Sequence, residues 1–414
     1  MDRAKPFCIS KREVWEAYKR VKANRGAAGV DEQSIAQFEE DLRNNLYRIW
    51  NRMSSGSYMP PPVRRVDIDK GDGRKRPLGI PTVSDRIAQT VVNRYLEPIL
   101  EPVFHADSYG YRPGRSAHQA LSVARQRCWR FNWVLDFDIK GFYDNIDHEL
   151  LMRAVRCHTR CKWVLLYLER WLTAPVRMPD GTLMRPEKGT PQGSVVSPIL
   201  GNLFLHYAFD RWMQENHSEV PFERYADDAI CHCCDEAQAR SLREALATRL
   251  AACKLELHPQ KTQIVYCKDA NRTSDHPAQR FDFLGYTFRP RRSMNRNGKL
   301  FVSFAPAISD KAAKAIRHSM RRWKLHHRND LDLADIARWT RPFLLGWIRY
   351  YGRFHRSALS GALRTLNSFI VRWAQRKYKR LRGHTMQAWD WLRRLQARQP
   401  ALFAHWTMEP TVGR

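Results

Sequence analysis

The chain has 414 residues, and 71 lysines and arginines against 42 aspartates and glutamates give it a net charge of +29 at pH 7. Its content of hydrophobic residues (43%) and aromatic residues (11%) excludes an intrinsically disordered protein, and its length favours two or three domains. No apolar run is long enough for a membrane span, a secretory signal is not expected, and the nine cysteines are irregularly spaced. We therefore expect a cytoplasmic protein with reduced thiols whose partner is a polyanion.

Four regions follow one another along the chain. A helical pattern that ends at a run of three prolines predicts a helical N-terminal domain over residues 1–63. Over residues 64–290, short strand-like runs alternate with helical ones, which is typical of an α+β or α/β domain. Residues 291–385 are predicted to form a helical domain, and residues 386–414 a short basic C-terminal segment.

The excess of positive charge is concentrated near the C-terminus. Residues 291–414 contain 27 lysines and arginines, only six acids, and seven of the 14 tryptophans. Basic residues recur among apolar ones at steps of three and four, which indicates amphipathic helices with one basic face. A surface that only keeps a protein soluble usually mixes both signs of charge, so this pattern favours binding to a phosphate backbone.

Two acidic motifs stand out from the basic background. One alternates apolar and acidic residues in a strand-like pattern, which places Asp136 and Asp138 on one face. The other predicts a hairpin with Asp227 and Asp228 at its bend. Carboxylates from two such elements would supply the oxygen ligands that suit a pair of Mg²⁺ ions, as in phosphoryl transfer. An Asp-Asp pair alone is more often an ordinary polar turn, so the neighbouring motifs decide its meaning.

Three glycine-rich loops accompany these acids. The segment that begins at Lys70 predicts a basic hairpin that would present Lys70 and Arg76 to a triphosphate. The segment Ser108-Tyr-Gly-Tyr-Arg-Pro-Gly-Arg is a second basic loop, and Gly189-Thr-Pro-Gln-Gly-Ser is a third that runs into a helix.

The order of these motifs resembles that of the group II intron-encoded reverse transcriptases, or maturases, from about residue 20 to about residue 400. Asn24-Arg-Gly-Ala-Ala-Gly-Val-Asp resembles their N-terminal extension motif, and His258-Pro-Gln-Lys and Phe283-Leu-Gly-Tyr resemble their last palm motifs. The resemblance implies an α+β right-hand polymerase, with fingers and an antiparallel palm sheet over 64–290 and a helical thumb, or maturase, domain over 291–385. It implies the form without a C-terminal endonuclease domain.

The resemblance also implies roles for individual residues. Asp138, Asp227 and Asp228 are expected to be the catalytic and metal-binding triad, whereas Asp136 is expected to be a nearby structural acid. Tyr143 is expected to exclude a ribose 2′-hydroxyl, so that deoxynucleotides are preferred. The residues expected to contact the nucleotide are Lys70, Arg76, Tyr143, Gln192 and Lys261. The basic residues expected to contact RNA are Arg349, Arg376, Lys377, Lys379 and Arg380.

The implied function is an RNA-directed DNA polymerase that binds its group II intron RNA and assists splicing and retrotransposition. Its cofactor would be two Mg²⁺ ions. Its partners would be the intron RNA, an RNA template–DNA primer duplex, target DNA and deoxynucleoside triphosphates, and no membrane is expected as a partner. The protein would associate with the nucleoid when acting on DNA. Two alternatives stay open at this point: an RNA-binding splicing factor with a silent polymerase site, and a domesticated reverse transcriptase in host defence or repair.

Overall fold

The computed structural model describes residues 5–69, 75–295 and 297–408, and it has the mixed α+β composition predicted from the sequence. Lys70, one of the expected nucleotide ligands, lies outside the described residues. The chain divides into two units. The first unit comprises Met1–Ala120, Leu135–Cys231 and Glu236–Gln263, and the second comprises Leu121–Val134, His232–Asp235 and Ile264–Arg414.

The N-terminal region is helical and leads into a strand pair, because its sequence contains clear start and stop signals. The side chains of Ser10, Ser34 and Thr82 cap the first, second and fourth helices, and Gly56, with a φ of +77°, ends the third. The first two strands pair antiparallel, as the basic hairpin motif predicts. The elements are α1 (Lys11–Ala23), α2 (Ile35–Glu40), α3 (Leu42–Ser55), β1 (Val63–Asp69), β2 (Lys75–Ile80), α4 (Val83–Leu100) and α5 (Ala117–Arg130).

The middle of the chain alternates strands and helices. Its elements are β3 (Trp133–Phe137), α6 (Phe142–Asn145), α7 (His148–Arg156), α8 (Lys162–Leu172), β4 (Val176–Arg177), β5 (Leu183–Met184), α9 (Ser197–Leu205), α10 (Arg211–Asn216), β6 (Phe222–Tyr225), β7 (Asp228–Cys233), α11 (Glu236–Ala252) and β8 (Gln263–Tyr266). A π-helical turn over His206–Asp210 connects α9 to α10. One four-stranded sheet has the order β2-β1-β4-β5, and a second has the order β6-β7-β3-β8.

The C-terminal region begins with a long antiparallel hairpin and continues as helices. Its elements are β9 (Phe281–Phe283), β10 (Tyr286–Met294), β11 (Leu300–Ile308), α12 (Asp310–Arg322), α13 (Leu333–Tyr351), α14 (Arg356–Leu363), α15 (Thr365–Lys377) and α16 (Thr385–Arg398). The strands form a sheet of order β11-β10-β9. The helices bury one apolar core around Ile316, Leu344 and Trp373, because each helix carries an apolar stripe at helical spacing.

The sequence composition bears on both the cysteines and the apolarity of the helices. All nine cysteines are free thiols in the structure, and Cys231 and Cys233 are buried in β7. Among the helices of the described residues, none combines the length and apolarity needed to cross a membrane.

Candidate active site

The tip of the β6–β7 hairpin carries two adjacent carboxylates. Tyr225 pairs with Asp228 across the hairpin, so Ala226 and Asp227 form the turn. This confirms the predicted hairpin, but the bend lies one residue earlier than expected, since Asp228 already begins β7. Ala226 has a φ of +58°, in the left-handed region that residues other than glycine rarely adopt. Such strain persists only where the surroundings hold the backbone in place.

A buried arginine supplies that support. The guanidinium of Arg224 donates two hydrogen bonds to the carboxylate of Asp210, at 2.6 Å to Oδ1 and 2.5 Å to Oδ2. The two side chains are only 1% and 0% exposed. Arg224 also donates to the backbone carbonyl of Ala226 and to Asn202 Oδ1, each at 3.0 Å. The ion pair therefore connects the turn that presents Asp227 to the π-helical turn that ends at Asp210.

The basic loop around Gly110 braces the same hairpin from another side. A Cβ atom on Gly110 would lie 2.3 Å from the backbone nitrogen of Ala226, so only glycine allows this close approach. Asn202 Nδ2 donates to the Gly110 carbonyl at 2.7 Å, and the Tyr109 amide donates to the Arg224 carbonyl at 2.8 Å. The sequence singled out this loop, but its supporting role could not be read from its residues.

Asp138 lies immediately after the end of β3 and interacts electrostatically with Asp227. Burial first, and then the negative charge of Asp138, raise the pKa of Asp227 above its usual value, while Arg76 and Arg224 act in the opposite direction. Asp138 Oδ2 also lies 2.5 Å from Lys261 Nζ. Two of the expected triad and two expected nucleotide ligands thus share one neighbourhood.

Asp136 contacts the neighbouring strand. Its Oδ2 accepts a hydrogen bond from Gln263 Nε2 at 2.9 Å, on the neighbouring strand β8. The structural role of Asp136 stays a prediction, and Asp138 is the acid whose charge acts on Asp227.

The donor set suits a hard divalent cation, but it is not a closed cage. Within residues 5–69, 75–295 and 297–408, no group of three or more His, Cys, Asp or Glu residues is arranged to hold a metal ion. The carboxylates of Asp138 and Asp227 are hard oxygen ligands whose mutual repulsion a cation would relieve. In this arrangement the Lys261 ammonium contacts Asp138 instead. The metal assignment of the triad stays a prediction.

Arg76 and Gln192 meet beside α6. Arg76 Nε donates to Gln192 Oε1 at 2.7 Å, and Gln192 Nε2 donates to Asp144 Oδ1 at 3.2 Å. Two backbone hydrogen bonds hold this loop in place. The Gly79 amide donates to the Gln192 carbonyl, and the Thr190 amide donates to the Tyr143 carbonyl. The structure therefore brings together two residues that are 116 positions apart in the sequence.

The ring of Tyr143 packs over Gly201 of α9. A Cβ atom on Gly201 would lie 2.9 Å from the ring, so glycine makes room for the aromatic side chain. Burial, followed by the charge of Asp227, raises the pKa of Tyr143, and the phenol stays neutral at physiological pH. Tyr143, Asp227 and Arg76 are therefore near enough to influence one another electrostatically.

Comparison with known proteins accounts for this arrangement. The family described as reverse transcriptase (RNA-dependent DNA polymerase) matches residues 68–288, and the group II intron, maturase-specific domain matches residues 313–389. The chain belongs to the group II intron reverse transcriptase and maturase family. Its enzymatic activity is that of an RNA-directed DNA polymerase, and the family predicted from the order of its motifs is confirmed.

Individual relatives agree with this assignment. Protein YkfC of Escherichia coli is 32% identical over an alignment of 327 positions, and the match covers 69% of this chain and 82% of YkfC. The group II intron-encoded protein LtrA of Lactococcus lactis is 34% identical over 217 residues, which are 52% of this chain but only 35% of LtrA. The nuclear intron maturase 2 of Arabidopsis thaliana is 28% identical over 193 residues, 42% of this chain and 26% of that protein.

The basic residues expected to bind RNA lie on the surface of this reverse transcriptase. The side chains of Arg349, Lys379 and Arg380 are exposed, and they form no hydrogen bond or ion pair with the residues that the structure describes. Arg376 and Lys377 are also exposed, but each donates to a backbone carbonyl of the loop before α13, at 3.2 Å and 2.5 Å. The first three are therefore free to contact a phosphate, whereas the other two also hold a loop.

A buried glutamine that the sequence did not reveal supports the Gln192 loop. Gln89 Oε1 accepts hydrogen bonds from Ser194 Oγ at 2.6 Å and from the Val195 amide at 2.8 Å. Gln89 Nε2 donates to Asp85 Oδ2 at 2.9 Å, which orients the amide. In the sequence both residues read as ordinary polar positions of a helix, and no local signal shows that they are buried.

Asp85 is a buried carboxyl group held by three donors. Gln89 is one donor. The other two are Tyr58 Oη and Trp171 Nε1, which donate to Asp85 Oδ1 at 2.9 Å and 2.7 Å. Burial raises the pKa of Asp85 to about 6, although the three hydrogen bonds oppose the shift. The network links the residues after α3, the start of α4, α8 and the Gln192 loop.

Breaking the ion pair between Arg224 and Asp210 should destabilise the protein strongly. We expect Asp210→Asn to lower the free energy of unfolding by about 3 kcal/mol, because it leaves a buried guanidinium uncompensated. Urea titration followed by circular dichroism measures the change. The control is Glu215→Gln, which breaks the exposed pair with Arg211 and should cost at most about 0.5 kcal/mol. Equal effects of the two substitutions would contradict the role assigned to the buried pair.

Asp85 should make stability depend on pH. Because its pKa rises from an unfolded value near 4 to about 6 in the folded protein, its stabilising contribution is complete below pH 4 and is lost as the pH rises through 6. Thermal melting of the wild type and of Asp85→Asn between pH 5 and pH 8 tests this. The difference in Tm should favour the wild type more at pH 5 than at pH 8, and a difference that is constant with pH would refute the assignment.

Proposed function

We propose that the protein copies RNA into DNA at the cluster of Asp138, Asp227 and Asp228. The observation that carries this proposal is the electrostatic coupling of Asp138 and Asp227 beside Arg76, within a chain of the reverse transcriptase family. Two Mg²⁺ ions held by these carboxylates would activate the primer 3′-hydroxyl and stabilise the charge on the departing pyrophosphate. The rest of the site then has to position the nucleotide and its charges.

The cationic residues have complementary tasks in this proposal. Arg76 would bind the triphosphate, together with Lys70 as the sequence predicts, and the contact of Arg76 with Gln192 would place that amide against the incoming nucleotide. Lys261 forms an ion pair with Asp138, and it would turn to the leaving pyrophosphate when the carboxylate binds a metal ion. Both tasks depend on charges that the described geometry already brings close to the carboxylates.

We further propose a right-hand organisation for the chain. In it, residues 64–290 form the fingers and palm, residues 291–385 form the thumb, or maturase, domain, and residues 1–63 and 386–414 form the N-terminal extension and a basic C-terminal segment. The reverse transcriptase match over 68–288 and the maturase match over 313–389 support these boundaries.

The maturase domain gives the protein a second task. We propose that it binds group II intron RNA and assists splicing and retrotransposition into target DNA. The concentration of positive charge in residues 291–414 supports this, together with exposed cations such as Arg349, Lys379 and Arg380. The RNA would carry the splicing chemistry itself, so this task needs binding and no catalytic residue.

Loss of Asp227 should separate the two tasks. We expect Asp227→Asn to reduce primer extension on an RNA template by at least about a hundredfold, because it removes a carboxylate ligand of the proposed Mg²⁺ ions, and to leave RNA binding unchanged. Extension with deoxynucleotides and Mg²⁺ measures the first effect and fluorescence anisotropy the second. Asp136→Asn is the matched control and should extend the primer normally. Failure of the folded wild type to extend any primer would point to a silent polymerase site.

Tyr143 should determine the preference for deoxynucleotides. Replacing it with alanine removes the ring that would contact the 2′ position, so incorporation of ribonucleotides should rise by about tenfold or more relative to deoxynucleotides. Single-nucleotide incorporation with each triphosphate measures the ratio. Tyr143→Phe keeps the ring and should keep the discrimination. If both variants discriminate like the wild type, the steric role is wrong.

A further inference from the structure

The second unit contains a large cavity that the polymerase site does not use. Its volume is about 840 Å³, within the range of roughly 300–1,000 Å³ that is typical of ligand pockets. The C-terminal half of α5, the β10–β11 hairpin and the beginning of α14 line it. All of its lining residues belong to the second unit, whereas Asp138 and Asp227 belong to the first.

Aromatic rings form part of the cavity wall. Trp129 is 44% exposed and Phe301 41% exposed, although both are large hydrophobic side chains. Trp129 is fixed, because its Nε1 donates to the Phe304 carbonyl at 3.0 Å. Phe354 is held by an edge-to-face contact with Tyr286, at 5.5 Å between ring centroids. The rings are therefore preorganised surfaces on which another flat group can stack.

Three arginines line the same cavity. The guanidinium of Arg125 lies 4.5 Å from the ring centroid of Trp129, and its Nε is enclosed without a hydrogen-bond partner. Burial lowers the pKa of Arg125, so a bound anion would relieve the cost of keeping this charge. Arg292 is exposed and has no hydrogen bond or ion pair among the described residues, and Arg356 donates only a long bond of 3.3 Å to a backbone carbonyl.

The acid in the cavity wall does not neutralise these arginines. Among the described lining residues, Asp269 is the single acid, and it forms an ion pair and several hydrogen bonds with Arg272, outside the cavity lining. The contacts with Arg272 hold the pKa of Asp269 below its usual value despite burial, so its charge is retained and already matched. The cavity consequently has a net positive charge.

We propose that this cavity binds an unpaired stretch of RNA, with bases stacked on Trp129, Phe301 and Phe354 and phosphates bound by the three arginines. Aromatic rings alternating with cations are how proteins hold single strands, since every base has a face that can stack. Duplex RNA hides those faces, so it would not occupy the cavity. The inference rests on the proposed function as an RNA-binding enzyme and adds a specific site and a preference for unpaired nucleotides.

The test measures binding of the full-length protein to a fluorescent single-stranded RNA of about 12 nucleotides, to a duplex of the same sequence, and to an abasic strand of equal length. We expect Arg125→Gln and Trp129→Leu to weaken single-strand binding by about tenfold and duplex binding much less. Trp129→Phe keeps a stacking ring and should retain most of the affinity. The control, Arg153→Gln, removes an equal charge from an exposed position on α7 and should change little.

Several outcomes would overturn the proposal. One is equal affinity of the wild type for the normal and abasic strands, and another is an equal loss of affinity for single-stranded and duplex RNA in the variants. A third is unchanged single-strand binding in the variants, in which case the cavity would fit an acidic protein segment instead. Arg292→Gln lies at an exposed position, so it tests the cavity without disturbing folding, and it should weaken single-strand binding severalfold. Because binding is measured without nucleotide triphosphates, a wild type that fails to extend primers would refute the proposed polymerase without affecting this test.

Discussion

The β6–β7 hairpin depends on one buried ion pair, between Arg224 and Asp210. It keeps a non-glycine residue in a left-handed turn, and this turn determines where Asp227 points. A buried ion pair contributes little net stability compared with apolar residues of the same shape, but it is strongly directional. Here directionality is what the site needs, because a carboxylate that is to bind a cation must be held in a fixed position against the repulsion of its neighbour.

The same interaction involves the π-helical turn in the helix before the hairpin. Asp210 is the last residue of that turn, and one extra residue in the helical repeat changes which side chains face the sheet. Asn202, one turn into α9, uses its amide in both directions, accepting from Arg224 and donating to the Gly110 loop. The hairpin, the helix and the loop therefore form one hydrogen-bonded assembly in which each part limits the movement of the others.

The candidate site residues are easier to find in the sequence than the groups that hold them. Asp138, Asp227 and Gln192 lie in short motifs with local turn and strand patterns, so the sequence singles them out as candidates. Asp210 and Arg224 look like ordinary charges of a helix and a strand, and only the folded chain shows that they are buried together. Gly110 has the same limitation, because the atom it must avoid belongs to a residue more than a hundred positions away.

The network around Asp85 bears on whether the N-terminal region is a separable module. Tyr58, three residues after the end of α3, donates one of the three hydrogen bonds that stabilise the buried carboxyl group of Asp85. Asp85 in turn accepts a hydrogen bond from Gln89 and so orients the amide that supports the Gln192 loop. A polymerase trimmed of its first 63 residues would leave that acid short of a donor. The stability of the Gln192 loop is therefore coupled to the N-terminal region through Tyr58, Asp85 and Gln89.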